Sequence, residues 1–351
     1  MKILYFGIYR PTAPRDKIYI DGLKTKGVEI QEYVDSSTGF RKYYTLAKCL
    51  YKWKPNTDII WVGYLSGLLV PLARIIAPRK KIIFNALSSM YESYVLDRET
   101  YSKINPAAWF IWLMDFLSFH LSDISLVEST EQKKFIAKLF FVNPKKLEVV
   151  YTGADGSVFY PDSSIKKRDK FTVVFRGMFL PATGIEYVFE AAKILKDKDV
   201  NFIVIGWGRE YQSYVENIIK ENNLANVEWV HWFLEPKELR EKMLSAHVML
   251  GQFSSHGRMD RTIQNKTFEA MALGMPYITR DSKSNREILT DRVNCLFVRP
   301  DDAKDLADKI LELKNNSTLC KNIRDKARNV HETELLPGVL SKRVVSVTNS
   351  L

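Results

Sequence analysis

Short apolar runs alternate with longer stretches in which apolar residues recur every three to four positions. The second half shows the order clearly. Residues 171–175 form a run of strand length, and Ile185, Val188, Phe189, Ala192 and Leu195 then follow helical spacing. A strand is expected over 202–205, ending in Gly206-Trp207-Gly208, then a polar helix over 211–222. Residues 227–230 predict a strand, 236–245 a helix and 248–250 a strand. A short helix around Lys266 leads into a strand at 277–279, and Ala303, Leu306, Ala307, Ile310 and Leu311 make a last amphipathic helix. The first half is less regular, with strands expected at 3–6, 59–62, 82–84, 124–127 and 147–151 and helices at 16–26, 65–76, 107–121 and 131–139. Alternation on this scale predicts parallel sheets covered on both faces. The polar segment 162–169 reads as a linker. The fold class is therefore α/β, with two doubly wound, Rossmann-like domains, 1–160 and 168–334, facing a cleft. Ligands of such sheets bind beyond the carboxyl ends of the strands.

Length and composition suit this picture, since 351 residues with 46% hydrophobic content give two ordinary cores and argue against disorder. Cys49, Cys295 and Cys320 are scattered and odd in number, which fits a reducing compartment and offers no metal-ligand spacing. The five histidines form no zinc-like cluster. Residues 1–8 are apolar but too short for a signal peptide, so they read as a first buried strand. The most apolar later stretch, 106–121, is shorter than the ~20 residues of a spanning helix and is interrupted by Asp115. A soluble, cytoplasmic protein is expected, with peripheral attachment to a membrane left open. Residues 1–158 hold 22 Lys+Arg against 15 Asp+Glu, a net of +7, and the rest holds 30 against 26, or +4. The excess sits mainly in the first half. It suits anionic lipid, a phosphorylated substrate or simply a lysine-rich solvated surface. Nucleic-acid binding would rest on charge alone, without a motif.

The most informative stretch is Asn265-Lys266-Thr267-Phe268-Glu269-Ala270-Met271-Ala272-Leu273-Gly274-Met275-Pro276. Lys266 and Glu269 stand three apart, on one face of a short helix that ends at a glycine. A helix start offers free N–H groups and a partial positive charge, which suit phosphate, and a carboxylate beside it accepts hydrogen bonds from sugar hydroxyls. Taken alone, Glu269 reads as an ordinary surface glutamate pairing with Lys266; the surrounding motif favours the site.

Three segments together resemble the GT-B glycosyltransferases, specifically glycosyltransferase family 4. They are Gly153-Ala154-Asp155 with Phe159-Tyr160-Pro161; Phe175-Arg176-Gly177 through Pro181-Ala182-Thr183-Gly184-Ile185; and the Phe268–Pro276 stretch followed by Glu287 and residues 294–300. The resemblance spans about residues 147–313. It implies a C-terminal domain that holds a nucleotide sugar, with Glu269 on the ribose hydroxyls and donor phosphates over the loop from Gly177 to Gly184. It also implies retention of anomeric configuration, no bound metal or other cofactor, and a helix over 335–351 that packs back on the first domain.

The chain departs from the family pattern in several places. Many members carry two glutamates eight positions apart, but Arg261 stands eight before Glu269, with Asp260 next to it as a possible sugar reader. Two usual phosphate cations are replaced by Met178 and Thr183, and Arg261 and Lys266 are the candidate substitutes. In place of the histidine that many members have after the fourth strand, this chain has Asn85-Ala86-Leu87-Ser88-Ser89, with Asn85 a candidate contact for the acceptor or a phosphate. Asp97-Arg98 resembles a subgroup with an acidic residue there, and reads either as an acceptor contact or as a local ion pair. Arg10 and Arg15, in the loop after the first strand, are candidates for an anionic acceptor or the donor phosphates. Gly206 belongs to a partial dinucleotide fingerprint or to a turn near the nucleotide base. Glu287 reads as a donor contact or as a helix start. Trp109, Phe110, Trp112, Leu113, Phe116, Leu117 and Leu121 form a wide apolar helix face, suited to core packing or to insertion beside a membrane.

The leading reading is a retaining glycosyltransferase that moves a sugar from a UDP- or GDP-linked donor to a glycan or lipid-linked acceptor. The alternative is a catalytically weak sugar-nucleotide-binding partner subunit, motivated by the missing glutamate and cations. A nicotinamide oxidoreductase would need a complete glycine fingerprint with an acidic residue after the next strand, and neither occurs.

Overall fold

Near-continuous apolar strands need cover on both faces, and each half of this chain supplies it with helices. The computed structural model describes residues 1–9, 14–35, 37–231 and 234–349. Two compact units result, Met1–Gly153 together with the stretch from Leu335 onward, and Ala154–Glu334.

The first unit runs β1 (Lys2–Gly7), α1 (Pro14–Thr25), β2 (Glu29–Val34), α2 (Arg41–Trp53), β3 (Ile59–Val62), α3 (Leu69–Ile76), β4 (Lys81–Leu87), α4 (Pro106–Leu121), β5 (Ile124–Val127), α5 (Thr130–Phe140) and β6 (Leu147–Val149). The sheet is parallel, in the order β2-β1-β3-β4-β5-β6. Period-two alternation sends Leu4, Phe6, Ile60 and Val62 into a core shared with α2 to α5. Ile3, Tyr5, Ile59 and Trp61 face the other way, toward Ile18, Tyr19 and Leu23 of α1.

The second unit runs β7 (Phe171–Arg176), α6 (Ile185–Ile194), β8 (Val200–Ile205), α7 (Gln212–Glu221), β9 (Val227–Val230), α8 (Pro236–Ser245), β10 (Val248–Leu250), α9 (Asn265–Leu273), β11 (Tyr277–Arg280), β12 (Leu296–Val298), α10 (Ala303–Asn315) and α11 (Ser317–Val330). Its parallel sheet has the order β12-β11-β10-β7-β8-β9. The direction of winding reverses between β7 and β10, which places a crevice at their carboxyl ends. A last helix, α12 (Pro337–Asn349), returns to the first unit, where Leu340, Val344 and Val347 join the α1 core.

Several elements differ from the sequence expectation. β2 is an edge strand, mostly half-buried, whose Glu-Ile-Gln-Glu-Tyr-Val sequence shows little strand character. α3 starts at Leu69 rather than 65, because Leu65 takes a left-handed φ of 63° and the chain turns there. α2, α11 and β12 are additions to the expected elements. The segment 162–169 is not a loose linker: Lys167 donates to the carbonyls of Leu244 and Ala246, and the Arg168 N–H to that of Ser245. Those bonds satisfy carbonyls at the end of α8 and fix the segment to the second unit.

Arg15 and Asn85, expected to meet a ligand, are instead buried in the first unit. Arg15 Nε donates to Asn85 Oδ1 at 2.7 Å, and its Nη1 to Val150 O at 2.9 Å. The Asn85 amide and the Tyr64 N–H both donate to Asp16 Oδ1, at 2.9 and 3.2 Å, and the Tyr5 hydroxyl donates to the same oxygen. This network ties α1 to β1, β4 and the end of β6. Arg10 lies outside the described residues. Replacing Asp16 with Ala removes an acceptor that three donors share, two of them in buried hydrogen bonds. Asp16→Ala is expected to destabilise the first unit by about 3 kcal/mol in urea unfolding.

Candidate functional site

Helix α9 is buried from Lys266 to Leu273, so its charged side chains are largely withdrawn from water. It stops where Gly274 takes a left-handed φ of 61°, with the Gly274 and Met275 N–H groups bonding back to Met271 and Ala270. No side chain caps its N-terminus. The crossover from β10 to β11 places it beside the end of β7, at the reversal point of the sheet.

Three charges meet there. Glu269 is 2% exposed, and its Oε1 accepts from Arg176 Nη2 at 2.8 Å. Its Oε2 is buried with no hydrogen-bond partner. Lys266 Nζ is likewise buried without a hydrogen-bond partner, and sits 4.0 Å from the centroid of the Phe175 ring. Burial, reinforced by Arg176 and opposed by Glu269, pushes the Lys266 ammonium down to about 7. Burial likewise raises the Glu269 carboxyl above its ordinary value, against the pull of Arg176 and Lys266. Native interiors rarely leave such atoms unpaired, and two of them at one point mark a place built to receive a polar group.

Arg176, Gly177, Met178, Ile205, Gly206, Trp207, Leu234 and Leu239 line a cavity of ≈ 160 Å³ beside this cluster. Glycines keep it open. A Cβ at Gly177, whose φ is 152°, would lie 3.0 Å from Lys266 Nζ. One at Gly206 would fall 1.9 Å from the Gly177 carbonyl oxygen, so the β7 and β8 ends pass each other too closely for a side chain. Trp207 is 41% exposed.

The structure therefore brings together Gly177, Gly206, Lys266 and Glu269. Other candidates stand elsewhere. Asp260 Oδ1 accepts from Arg280 Nη2 at 2.6 Å, so a contact with sugar would compete with an existing ion pair. Arg261 follows the turn Gly257–Asp260, and its guanidinium lies near Gly257. The Thr183 hydroxyl folds back on the Leu180 carbonyl at 2.7 Å. Gly184, left-handed at φ 65°, serves packing, because a Cβ there would lie 2.5 Å from the Ser254 nitrogen. Glu287 is half-buried in the short turn Asn285–Glu287. In the first unit, Asp97 ends the helical segment Glu92–Asp97, and the Arg98 guanidinium stacks over Tyr94 at 5.9 Å. Among the described residues no group of three His, Cys, Asp or Glu side chains could hold a metal ion.

Sequence reasoning missed Arg176 and Arg280. Each is a cation at the last position of a strand beside the reversal point, and that placement was the available signal. Arg176 also lies 5.9 Å over the Phe159 ring, which links it to the Phe-x-Pro segment.

Comparison with known proteins agrees with this geometry. The sequence model of the family "Glycosyl transferases group 1" matches residues 158–330, so the second unit carries a glycosyltransferase group 1 domain. A glycosyltransferase of Methanocaldococcus jannaschii is 29% identical over 182 residues, 51% of this chain and 47% of that protein. An N,N'-diacetylbacillosaminyl-diphospho-undecaprenol alpha-1,3-N-acetylgalactosaminyltransferase of Campylobacter jejuni is 23% identical over 198 residues, 56% of this chain and 49% of that protein. The chain thus spans about half the length of the curated relatives it matches. Among solved structures, Anabaena HepE in complex with UDP superposes with a TM-score of 0.77 at 14% identity, covering 100% of both chains. Sucrose-phosphate synthase of Thermosynechococcus elongatus gives 0.76 at 14% identity, covering 100% of this chain and 98% of the other. These likenesses show the fold, GT-B.

The ion pair gives a testable prediction. Arg176→Met leaves Glu269 buried without its partner, at a cost of about 2 kcal/mol at neutral pH, moderated because the guanidinium is partly exposed. Glu269 then has a folded pKa still further above its unfolded value, so the deficit is full at high pH and shrinks as pH falls and the carboxyl protonates. Urea unfolding at about pH 7.5 and about pH 5 reads the difference.

Proposed function

We propose that the chain is a retaining glycosyltransferase that moves a sugar from a UDP- or GDP-linked nucleoside diphosphate to a glycan or lipid-linked acceptor. The observation that carries this reading is the pair of partnerless buried atoms, Lys266 Nζ and Glu269 Oε2, at the reversal point of the second sheet. A ribose–diphosphate supplies what both lack. Ribose hydroxyls donate to Glu269, and a phosphate oxygen accepts from Lys266. The uncapped start of α9 adds backbone N–H groups toward the same anion. Trp207 offers an aromatic face at the cavity rim for the base. The HepE complex with UDP-glucose and the lipid-linked acceptor in the name of the Campylobacter relative are consistent with these substrate classes.

The chemistry follows from charge. As the bond from anomeric carbon to phosphate oxygen breaks, positive charge builds on the sugar ring and negative charge on the leaving diphosphate. Lys266, Arg176 and the backbone N–H groups stabilise the departing anion, which is where most of the rate enhancement of such a step arises. The acceptor hydroxyl attacks from the face the diphosphate leaves, and its proton passes to a phosphate oxygen. The sugar thereby keeps its anomeric configuration. This route requires no protein base, in keeping with the absence of a histidine after β4.

Two measurements test the reading. Calorimetry of UDP and GDP from roughly pH 6 to 9 is expected to show affinity falling up to about tenfold per pH unit above about 7. Binding needs Lys266 charged, while the unliganded site releases its proton there. Lys266→Met abolishes that slope. Glu269→Ala weakens nucleotide binding by at least about tenfold, whereas Arg261→Ala slows transfer more than binding. Tight binding of labelled nucleotide sugars with neither hydrolysis nor transfer would instead favour the partner-subunit reading, and wild-type transfer rates in both variants would overturn the site.

A further inference from the structure

Helix α4 is built inside out. Its buried positions include Asp115 and Ser118 beside Ala108 and Phe119. On the opposite side, Trp109 is 67% exposed, Phe110 56% and Leu113 44%. With Pro106 and Leu117 these residues follow spacings of three, four and seven, so they form one stripe along the helix. No charged residue interrupts the stripe, and Ile104, just before the helix, is 87% exposed. Trp112 and Phe116, at the margins of the stripe, pack onto the core, but Trp109, Phe110 and Leu113 do not. Exposed aromatic area of this extent on one face marks an interaction surface.

The neighbouring helices define what it meets. α2, α3 and α4 follow one another on the same side of the sheet. The exposed face of α2 carries Arg41, Tyr44, Lys48, Tyr51 and Lys52. α2 and α3 contain no Asp or Glu, and the one acid of α4, Asp115, is buried. In α5, Lys134 pairs with Glu131, and exposed Lys138 adds a further cation. An apolar stripe of Trp, Phe and Leu flanked by tyrosines and cations matches the layering of a bilayer with anionic headgroups, from acyl boundary to phosphate. A protein partner would be expected to meet a rim of both signs.

We infer that the outer face of α2, α3 and α4 docks the chain on an anionic membrane surface, with Trp109, Phe110 and Leu113 entering the headgroup–acyl boundary. Among the described residues no helix is long and apolar enough to cross a membrane. The contact proposed is one of the surface alone. It does not depend on the donor-site reading, since it is measured by lipid binding.

The experiment uses the full chain with vesicles of phosphatidylcholine alone and of phosphatidylcholine mixed with phosphatidylglycerol. Co-sedimentation is expected with the mixed vesicles, weakened by salt, and little with the neutral ones. Trp109→Ser with Phe110→Ser should lower partitioning about tenfold or more, and Lys48→Glu with Lys52→Glu should do so only for anionic vesicles. Wild-type emission should shift to the blue on vesicle addition, and Trp109→Phe should remove most of that shift. All these side chains are exposed, so the variants should keep wild-type melting temperatures and nucleotide affinity. The proposal is overturned if wild type stays with the supernatant of anionic vesicles, or if the serine variants sediment as wild type does. It is equally overturned if sedimentation equilibrium shows a dimer that Phe110→Ser dissociates.

Discussion

A carboxylate enclosed in protein must be compensated nearby, and the second unit is arranged around that requirement at Glu269. Helix α9 is buried from Lys266 onward, so the charges of Glu269 and Lys266 are held where water screens them weakly. Arg176 reaches Glu269 because β7 ends one residue before a glycine, and Lys266 rests on the Phe175 ring of the same strand. The local sum is two cations against one anion beside a cavity. Such a surplus is costly in isolation and favourable toward an anion, and it is placed where parallel sheets present ligands.

The backbone makes this arrangement possible. Gly177 and Gly206 let the ends of β7 and β8 approach each other, and a side chain at either position would press on its neighbour or on Lys266. Gly184 does the same between the start of α6 and the loop after β10. These glycines serve close approach of chain to chain, whereas sequence alone suggests approach by phosphate at Gly184.

Much of the second unit was legible because its strands are apolar runs and its helices have clear periods. The Lys266–Glu269 pair was legible because helix spacing alone puts both on one face. What sequence could not show was pairing across the fold. Arg176 and Glu269 are ninety-three positions apart, and Asp260 is tied to Arg280 twenty positions on. Arg15 and Asn85 looked like ligand-facing groups because they follow strands, yet across seventy positions they meet each other inside the unit. In the first unit β2 escaped notice because an edge strand carries polar residues, whereas α2 keeps a clear helical spacing at Tyr43, Leu46, Leu50 and Trp53, a signal the sequence did offer. The orientation of α4 was illegible for the opposite reason. Its sequence is apolar nearly all round, so only packing decides which side is outermost.

The return of α12 to the first unit has a consequence for biogenesis. The second unit is an insertion between Gly153 and Leu335, and Leu340, Val344 and Val347 complete a core begun by Ile18, Tyr19 and Leu23. On the ribosome, that α1 surface emerges before the inserted unit and waits for its cover until the inserted unit has been made. The inserted unit can close before its host does. The nascent chain therefore carries a sticky, half-finished lobe while the inserted unit is synthesised, a window in which chaperones or premature self-association compete with completion.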